Sequence, residues 1–158
     1  MQPWWHNVVE LVHGGRQREA IALTRRVAAN GDLAAKVRLA VFGAEAGLAR
    51  EQADLIVEEA EKAVTDDDET THWVLRGAYD LGLGQCEYEE KSRRVLKHLE
   101  AFARATANPM AVIAVARTYA TGSIGVPADL DSAVEWYYFA IALGDTNAAR
   151  ELHQLHDA

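Results

Sequence analysis

The feature that most constrains the fold of this chain is a helical pattern that recurs three times and ends at a glycine each time. The copies are LAVFGAEAG, ending at Gly47, VLRGAYDLG, ending at Gly82, and AVARTYATG, ending at Gly122. The three glycines are 35 and 40 residues apart, and a second helical pattern follows each copy. Periods of this length are typical of solenoids, in which each helical hairpin buries its apolar face against its neighbours.

Helix-favouring residues dominate the rest of the sequence, which has only three prolines and few β-branched runs. Turn-forming residues divide it into nine predicted helices, at about 3–13, 16–29, 32–47, 51–64, 70–82, 87–107, 109–121, 130–143 and 146–156. The connections are short, so we expect consecutive helices to run antiparallel, as stacked hairpins.

Several of the predicted breaks carry helix start and stop signals. Gly31 tolerates the left-handed conformation that ends a helix, and Asp32 supplies a carboxylate that caps the next one. The run TDDDETTHW places acceptors and negative charge where a helix N-terminus exposes unpaired amides. Pro109 fits the first turn of a helix, because its missing N–H is not needed there.

The segment that begins at Tyr119 carries the most specific motif in the chain. Its residues are Tyr119, Gly122, Gly125, Val126, Asp129, Ala133, Trp136, Tyr137, Ala140, Gly144 and Ala148. In order and spacing they resemble the Sel1-like repeat, an α/α hairpin related to the tetratricopeptide repeat. We interpret them as structural, since aromatic side chains fill the space between hairpins and small residues let helix backbones approach closely.

The preceding unit resembles the same motif more loosely. Tyr79, Gly82, Gly84 and Lys91 fit it, whereas Leu96-Lys97 stand where Trp-Tyr is expected. The first two hairpins have only the helical period and the alanine content of such repeats.

The resemblance implies a right-handed α/α solenoid of about four hairpins plus a terminal helix, forming one domain over residues 1–158. The hairpins are expected at about 3–30, 32–64, 70–107 and 109–143, with the terminal helix at 146–156. The resemblance also implies that the first helix of each pair lines a concave surface that binds other proteins. Such repeats generally act as adaptors, without catalysis and without a cofactor.

The charge distribution limits the partners to consider. The net charge is −8, and residues 51–90 hold two basic and thirteen acidic side chains. This acidic middle repels phosphate, which disfavours nucleic acid; its carboxylates either keep helix faces soluble or form a docking surface for a basic partner. No run of eighteen apolar residues predicts a membrane span. With a single cysteine and no secretory signal pattern, we expect the chain in the cytoplasm.

Catalytic and metal-binding patterns are weak. There is no Gly-x-Ser-x-Gly elbow and no phosphate-binding loop followed by Lys-Ser or Lys-Thr. The acidic neighbours of Cys86 disfavour a reactive thiolate, so a packing role is expected there. His153 and His156 share one face of the last helix and form a weak alternative metal site. A third ligand is not visible nearby in the sequence.

The candidate binding residues are side chains that packing does not explain. On the first helices they include Arg38, Arg76, Asp80 and Arg117. If these arginines point into the groove, they can hold a carboxylate-bearing peptide or a C-terminus; otherwise they are exposed helix charges.

The adjacent pair Trp4 and Trp5 opens the chain. A capping helix that folds one Trp onto the next hairpin is one interpretation. An exposed Trp that anchors a partner, or a homodimer through the solenoid end, is the other.

These observations predict a non-catalytic adaptor that binds a protein or peptide, with no nucleic-acid or membrane partner. One alternative is a dedicated inhibitor or immunity protein that blocks a basic enzyme or toxin. Another is a protein that binds a metal or small ligand through histidines.

Overall fold

The computed structural model describes the backbone of residues 1–156, and this part of the chain is helical with no strand. Its α-helices are α1 Pro3–His13, α2 Gln17–Ala29, α3 Leu33–Phe42, α4 Arg50–Ala63, α5 Glu69–Asp80, α6 Tyr88–Thr106, α7 Pro109–Thr121, α8 Leu130–Ala142 and α9 Thr146–His156. The all-α prediction is confirmed, and the predicted helix positions differ from these bounds by only a few residues.

The largest difference lies at the end of α3, where the predicted helix 32–47 was too long. The α-helix ends at Phe42, because Gly43 has φ of 54° and ψ of −122° and cannot continue it. A turn of 3₁₀-helix follows over Gly43–Ala46, and Gly47 then adopts the left-handed conformation.

The predicted helix caps are confirmed. Asp32 accepts a hydrogen bond from the Ala35 amide at 2.8 Å, at the start of α3. Asp68 caps α5 in the same way through the Thr71 amide, at 3.0 Å. Pro109 occupies the first turn of α7. Each cap satisfies an amide that the helix itself leaves unpaired.

Residues 1–86 form one compact unit, in which α3 is the central helix. It packs against α2, α4 and α5, while α1 packs on α2 and α4 contacts α5. The buried face of α3 consists of small side chains, among them Ala34, Ala35, Val37 and Ala40. Their size lets three neighbouring helices approach α3 closely.

The second compact unit begins at Glu87. Within it, α7 packs against α6 and α8, and α8 packs against α9. Ala133 and Ala140 of α8 and Ala148 of α9 are fully buried, with Trp136 and Tyr137 beside them. Trp136 and Tyr137 of the motif thus contribute to the core of this unit, whereas Tyr138 is exposed.

The division between the units falls between α5 and α6, inside the segment 70–107 that was predicted as one hairpin. The single domain over 1–158 and its four hairpins stay a prediction. Among residues 1–156, no helix combines the length and the apolar composition needed to cross a membrane.

Candidate functional site

Three of the predicted binding residues, Trp5 of α1, Arg38 of α3 and Arg76 of α5, line one cleft of about 180 Å³ in the first unit. Trp5 of α1 and Trp73 of α5 complete its aromatic part. Its remaining wall consists of Val41, Val74, Gly77 and Leu81. We refer to this site as the arginine cleft.

Arg38 is held in the cleft by aromatic rings and not by an acid. Its guanidinium carbon lies 4.5 Å from the centre of the Phe42 ring and 5.5 Å from the Trp5 ring. Its Nε is buried and has no hydrogen-bond acceptor among the described residues, and none of their carboxylates forms an ion pair with Arg38. Burial lowers the pKa of Arg38, but a guanidinium stays charged at neutral pH.

The guanidinium of Arg76 is paired with an acid at its Nη1 atom and has no acceptor at its buried Nε atom. It stacks on Trp73 at 4.4 Å, and its Nη1 donates to Asp80 at 3.0 Å. Its Nε, like that of Arg38, is buried and has no hydrogen-bond acceptor. Asp80 therefore neutralises part of the charge of Arg76, while the buried Nε has no acceptor among the described residues.

Two buried donors without acceptors in one cleft are unusual, since nearly all buried polar groups in folded proteins are paired. Leaving such a donor unpaired costs about 1 to 3 kcal/mol. A carboxylate satisfies it well, because the planar guanidinium presents two parallel N–H groups to the two carboxylate oxygens. A carboxylate is therefore the group whose chemistry best matches the two guanidiniums that line the cleft.

The fold brings these residues together because α3 and α5 pack side by side and each carries an arginine on the face toward the cleft. Sequence reasoning identified Arg38, Arg76, Asp80 and Trp5, but missed Trp73 and Leu81. The signal for Trp73 was its position three residues before Arg76, which places both on one helix face.

The two N-terminal tryptophans are both held by the first unit. Trp5 is buried, whereas Trp4 is half-buried against the core cluster of Val8 and Ile21. The Trp4 Nε1 donates to the Asp32 carboxylate at 3.2 Å. Trp4 thus secures α1 on the start of α3, and Trp5 forms part of the arginine cleft.

Arg117 does not belong to this cleft. It lies on α7 in the second unit and is exposed, and its Nε and Nη2 donate to the two carboxylate oxygens of Glu151 on α9, at 2.9 and 2.6 Å. The bond to Glu151 raises the pKa of Arg117 and lowers that of Glu151. Its charge is already compensated within the protein.

The repeat-motif residues lie in turns and helix contacts. Gly82, Gly122, Gly125 and Gly144 all have positive φ angles, and each follows a helix or lies in the α7–α8 connection. The hydroxyl of Tyr119 on α7 donates a hydrogen bond to the carboxylate of Glu100 on α6. Tyr119 is half-buried, and its pKa is raised to about 12, mainly by burial and secondly by the hydrogen bond to Glu100.

The structure gives no support to the alternative that His153 and His156 form a metal site. His153 is exposed on α9, and the side chain of His156 lies outside the described residues. No group of three or more potential metal ligands occurs in the described part of the chain. His72 and His98 are buried, which the sequence did not predict. Cys86 is half-buried in the segment that follows α5.

The helices and their pairing define an α/α repeat protein. The structure is similar to the crystal structure of a Sel1 repeat protein from Oxalobacter formigenes, with a TM-score of 0.55 and 20% sequence identity. The match covers 98% of this chain and 63% of that protein. The fold is therefore that of a Sel1 repeat solenoid, as the motif predicted. No family model matches the sequence, and no curated protein matches it.

Proposed function

We propose that this chain is a non-catalytic protein-interaction module that binds a protein or peptide through the arginine cleft. The observation that carries the proposal is the pair of buried Nε donors, on Arg38 and Arg76, in a cleft walled by Trp5 and Trp73. Sel1 repeats generally mediate protein–protein interaction, and the cleft gives this chain a surface suited to that role.

The position of the cleft supports the proposal. Its residues come from α1, α3 and α5, the first helices of the predicted hairpins, and such helices line the binding surface that the resemblance implies. Its composition supports the proposal too. Tryptophan and arginine are enriched among the few interface residues that contribute most to binding energy.

A second candidate function is the inhibition of one basic enzyme or toxin, favoured by the acidic surface on and after α4. Glu51 and Glu59 on α4, and Asp66 and Asp67 after it, are exposed. A basic partner held by these side chains associates at a rate that falls steeply with added salt. A partner held by the arginine cleft is much less sensitive to salt, because its contacts are largely buried.

The test measures capture of a partner from the native host by the wild-type chain and by Arg38→Gln. Arg26→Gln is the matched control, because Arg26 is exposed on α2 and lies outside the cleft. We expect Arg38→Gln to weaken binding of the captured partner by at least about tenfold, with Arg26→Gln unchanged. Equal binding by both variants refutes the cleft as the binding surface.

A further inference from the structure

A second, apolar compartment adjoins the arginine cleft. This compartment has a volume of about 360 Å³ and is lined mainly by Ala40, Val41, Leu48, Ala53, Leu81 and Leu83. Val41 and Leu81 belong to the walls of both cavities, so the two are adjacent. The apolar compartment alone is as large as the smaller pockets that proteins use for ligands, which start at about 300 Å³.

Leu81 stands at the junction of the two compartments and is 64% exposed. It directly follows α5. An exposed leucine between a cationic cleft and an apolar compartment provides surface that an apolar group of a ligand can cover.

The polar side chain in the apolar compartment is already paired. Arg50 lines this cavity, and its guanidinium donates to Asp54 and to the Gly82 carbonyl. The unpaired donors thus belong to Arg38 and Arg76 in the arginine cleft, while the adjoining compartment offers apolar contact.

We propose, building on the function above, that the ligand of this site is the C-terminus of a polypeptide whose last residue is apolar. The terminal carboxylate binds Arg38 and Arg76 between the tryptophans. The last side chain enters the apolar compartment past Leu81.

A chain terminus fits this arrangement better than an internal acidic residue. In a C-terminal residue, the carboxylate and the side chain are attached to the same Cα, so a charged and an apolar group lie next to each other, as the compartments do. In an extended internal segment, an acidic side chain and the apolar side chain that follows it point to opposite faces.

The experiment uses two display libraries of the same random sequences, one ending in a free carboxylate and one with the sequences placed internally. Selection on the wild-type chain is expected to recover binders from the first library, with leucine, isoleucine, valine or phenylalanine at the last position. A selected peptide is then synthesised as the acid and as the amide. We expect amidation to weaken binding by tenfold or more, since it removes the charge and one acceptor oxygen.

Three variants locate the peptide. Arg38→Gln and Arg38→Lys both remove the planar guanidinium, and Arg38→Lys keeps the positive charge. Each substitution is expected to weaken binding of the peptide with a free C-terminal carboxylate and to leave binding of the amidated peptide unchanged. Leu81→Ser changes an exposed residue and is expected to reduce the preference for an apolar last residue. Arg26→Gln is the unchanged control, and circular dichroism with thermal melting verifies that each variant is folded.

Equal affinity for the acid and the amide overturns the inference. The inference is also overturned if the internal library yields binders that are equally tight and depend on Arg38. In that case the proposed function of the arginine cleft still holds. If octanoate binds as tightly as the peptide, the ligand is a free fatty acid, and the inference that it is a polypeptide C-terminus is also overturned. If peptides from both libraries bind without any dependence on Arg38, the inference and the cleft assignment both fail.

Discussion

The Tyr119 hydroxyl on α7 donates a hydrogen bond of 2.6 Å to the Glu100 carboxylate on α6. In the first unit, Tyr79 of α5 donates to Glu61 of α4 at 3.1 Å. Each tyrosine lies three residues before the glycine that follows its helix. The repeated sequence pattern thus corresponds to a repeated contact between a helix and the one before it in the chain.

Replacing Tyr119 by Phe tests the energetic value of this contact. We expect a loss of about 1 kcal/mol of stability at pH 8, because the half-buried ring keeps its contacts while the hydrogen bond is lost. Tyr138→Phe is the matched control, since Tyr138 is exposed. Urea unfolding of the three proteins measures the difference. An equal effect of both substitutions contradicts the prediction.

The raised pKa of Tyr119 predicts a second effect of the same variant, in alkaline solution. The pKa is about 12 in the folded protein against the usual 10.0. The folded state therefore holds this proton more tightly, and its contribution to stability is present below pH 10 and lost as the pH rises toward 12. Unfolding curves between pH 9 and pH 11.5 should fall less steeply for Tyr119→Phe than for the wild type.

Gly125 is expected to tolerate alanine much less well than Gly144. Both have positive φ angles, 78° and 90°, which cost an alanine about 1 to 2 kcal/mol. A Cβ at Gly125 would lie only 2.5 Å from the Glu89 carbonyl oxygen on α6, whereas a Cβ at Gly144 meets nothing within 4 Å. We expect Gly125→Ala to lose about 3 kcal/mol and Gly144→Ala about 1. Similar melting temperatures for the two variants would show that the connection moves away from α6.

The ion pair of Arg117 with Glu151 predicts a small, acid-sensitive effect. Arg117→Gln is expected to cost less than about 1 kcal/mol at neutral pH, since the arginine is exposed. Because Arg117 lowers the pKa of Glu151, the stabilisation is present above the ordinary carboxyl pKa and is lost as the pH falls through the lowered pKa of Glu151. The difference in stability between the wild type and the variant should therefore shrink as the solution is acidified below the ordinary carboxyl pKa. A difference that does not change with acidification speaks against the ion pair as its cause.

Arg38→Met is expected to separate binding from stability. The substitution removes a buried donor without an acceptor, which costs the folded wild type about 1 to 3 kcal/mol, and it loses ring contacts worth about 0.5 to 1 kcal/mol each. We predict stability equal to the wild type or up to about 1 kcal/mol higher, together with loss of partner binding. Thermal melting and binding are measured on the same samples, with Arg26→Met as control. A loss of more than about 2 kcal/mol would assign Arg38 a structural role instead.

Much of the fold was predictable because its signals are local. Asp32, Asp68 and Asn108 each cap a helix through bonds to amides two or three residues later, and such bonds depend on neighbouring residues alone. The end of α3 was not predicted, because the sequence around Gly43 is apolar and alanine-rich and only the backbone angles at that glycine stop the α-helix.

The candidate site was predicted in part. Arg38 and Arg76 stood out because packing did not explain them, but Arg117 met the same criterion and proved to pair with Glu151. The sequence does not show which arginine another helix will pair, since Arg76 has a local partner in Asp80 whereas the partner of Arg117 comes from α9.

The sequence by itself determined the helices, their caps and the repeat to which they belong, because helical period, glycine spacing and capping residues act over a few positions. Tertiary structure alone decided that Arg38 and Arg76 keep buried donors without acceptors, and that their cleft adjoins an apolar compartment at Val41 and Leu81. The physical reason is that pairing and burial depend on which distant helices pack together. That packing leaves the Nε of both guanidiniums without an acceptor, although Asp80 pairs with the Nη1 of Arg76.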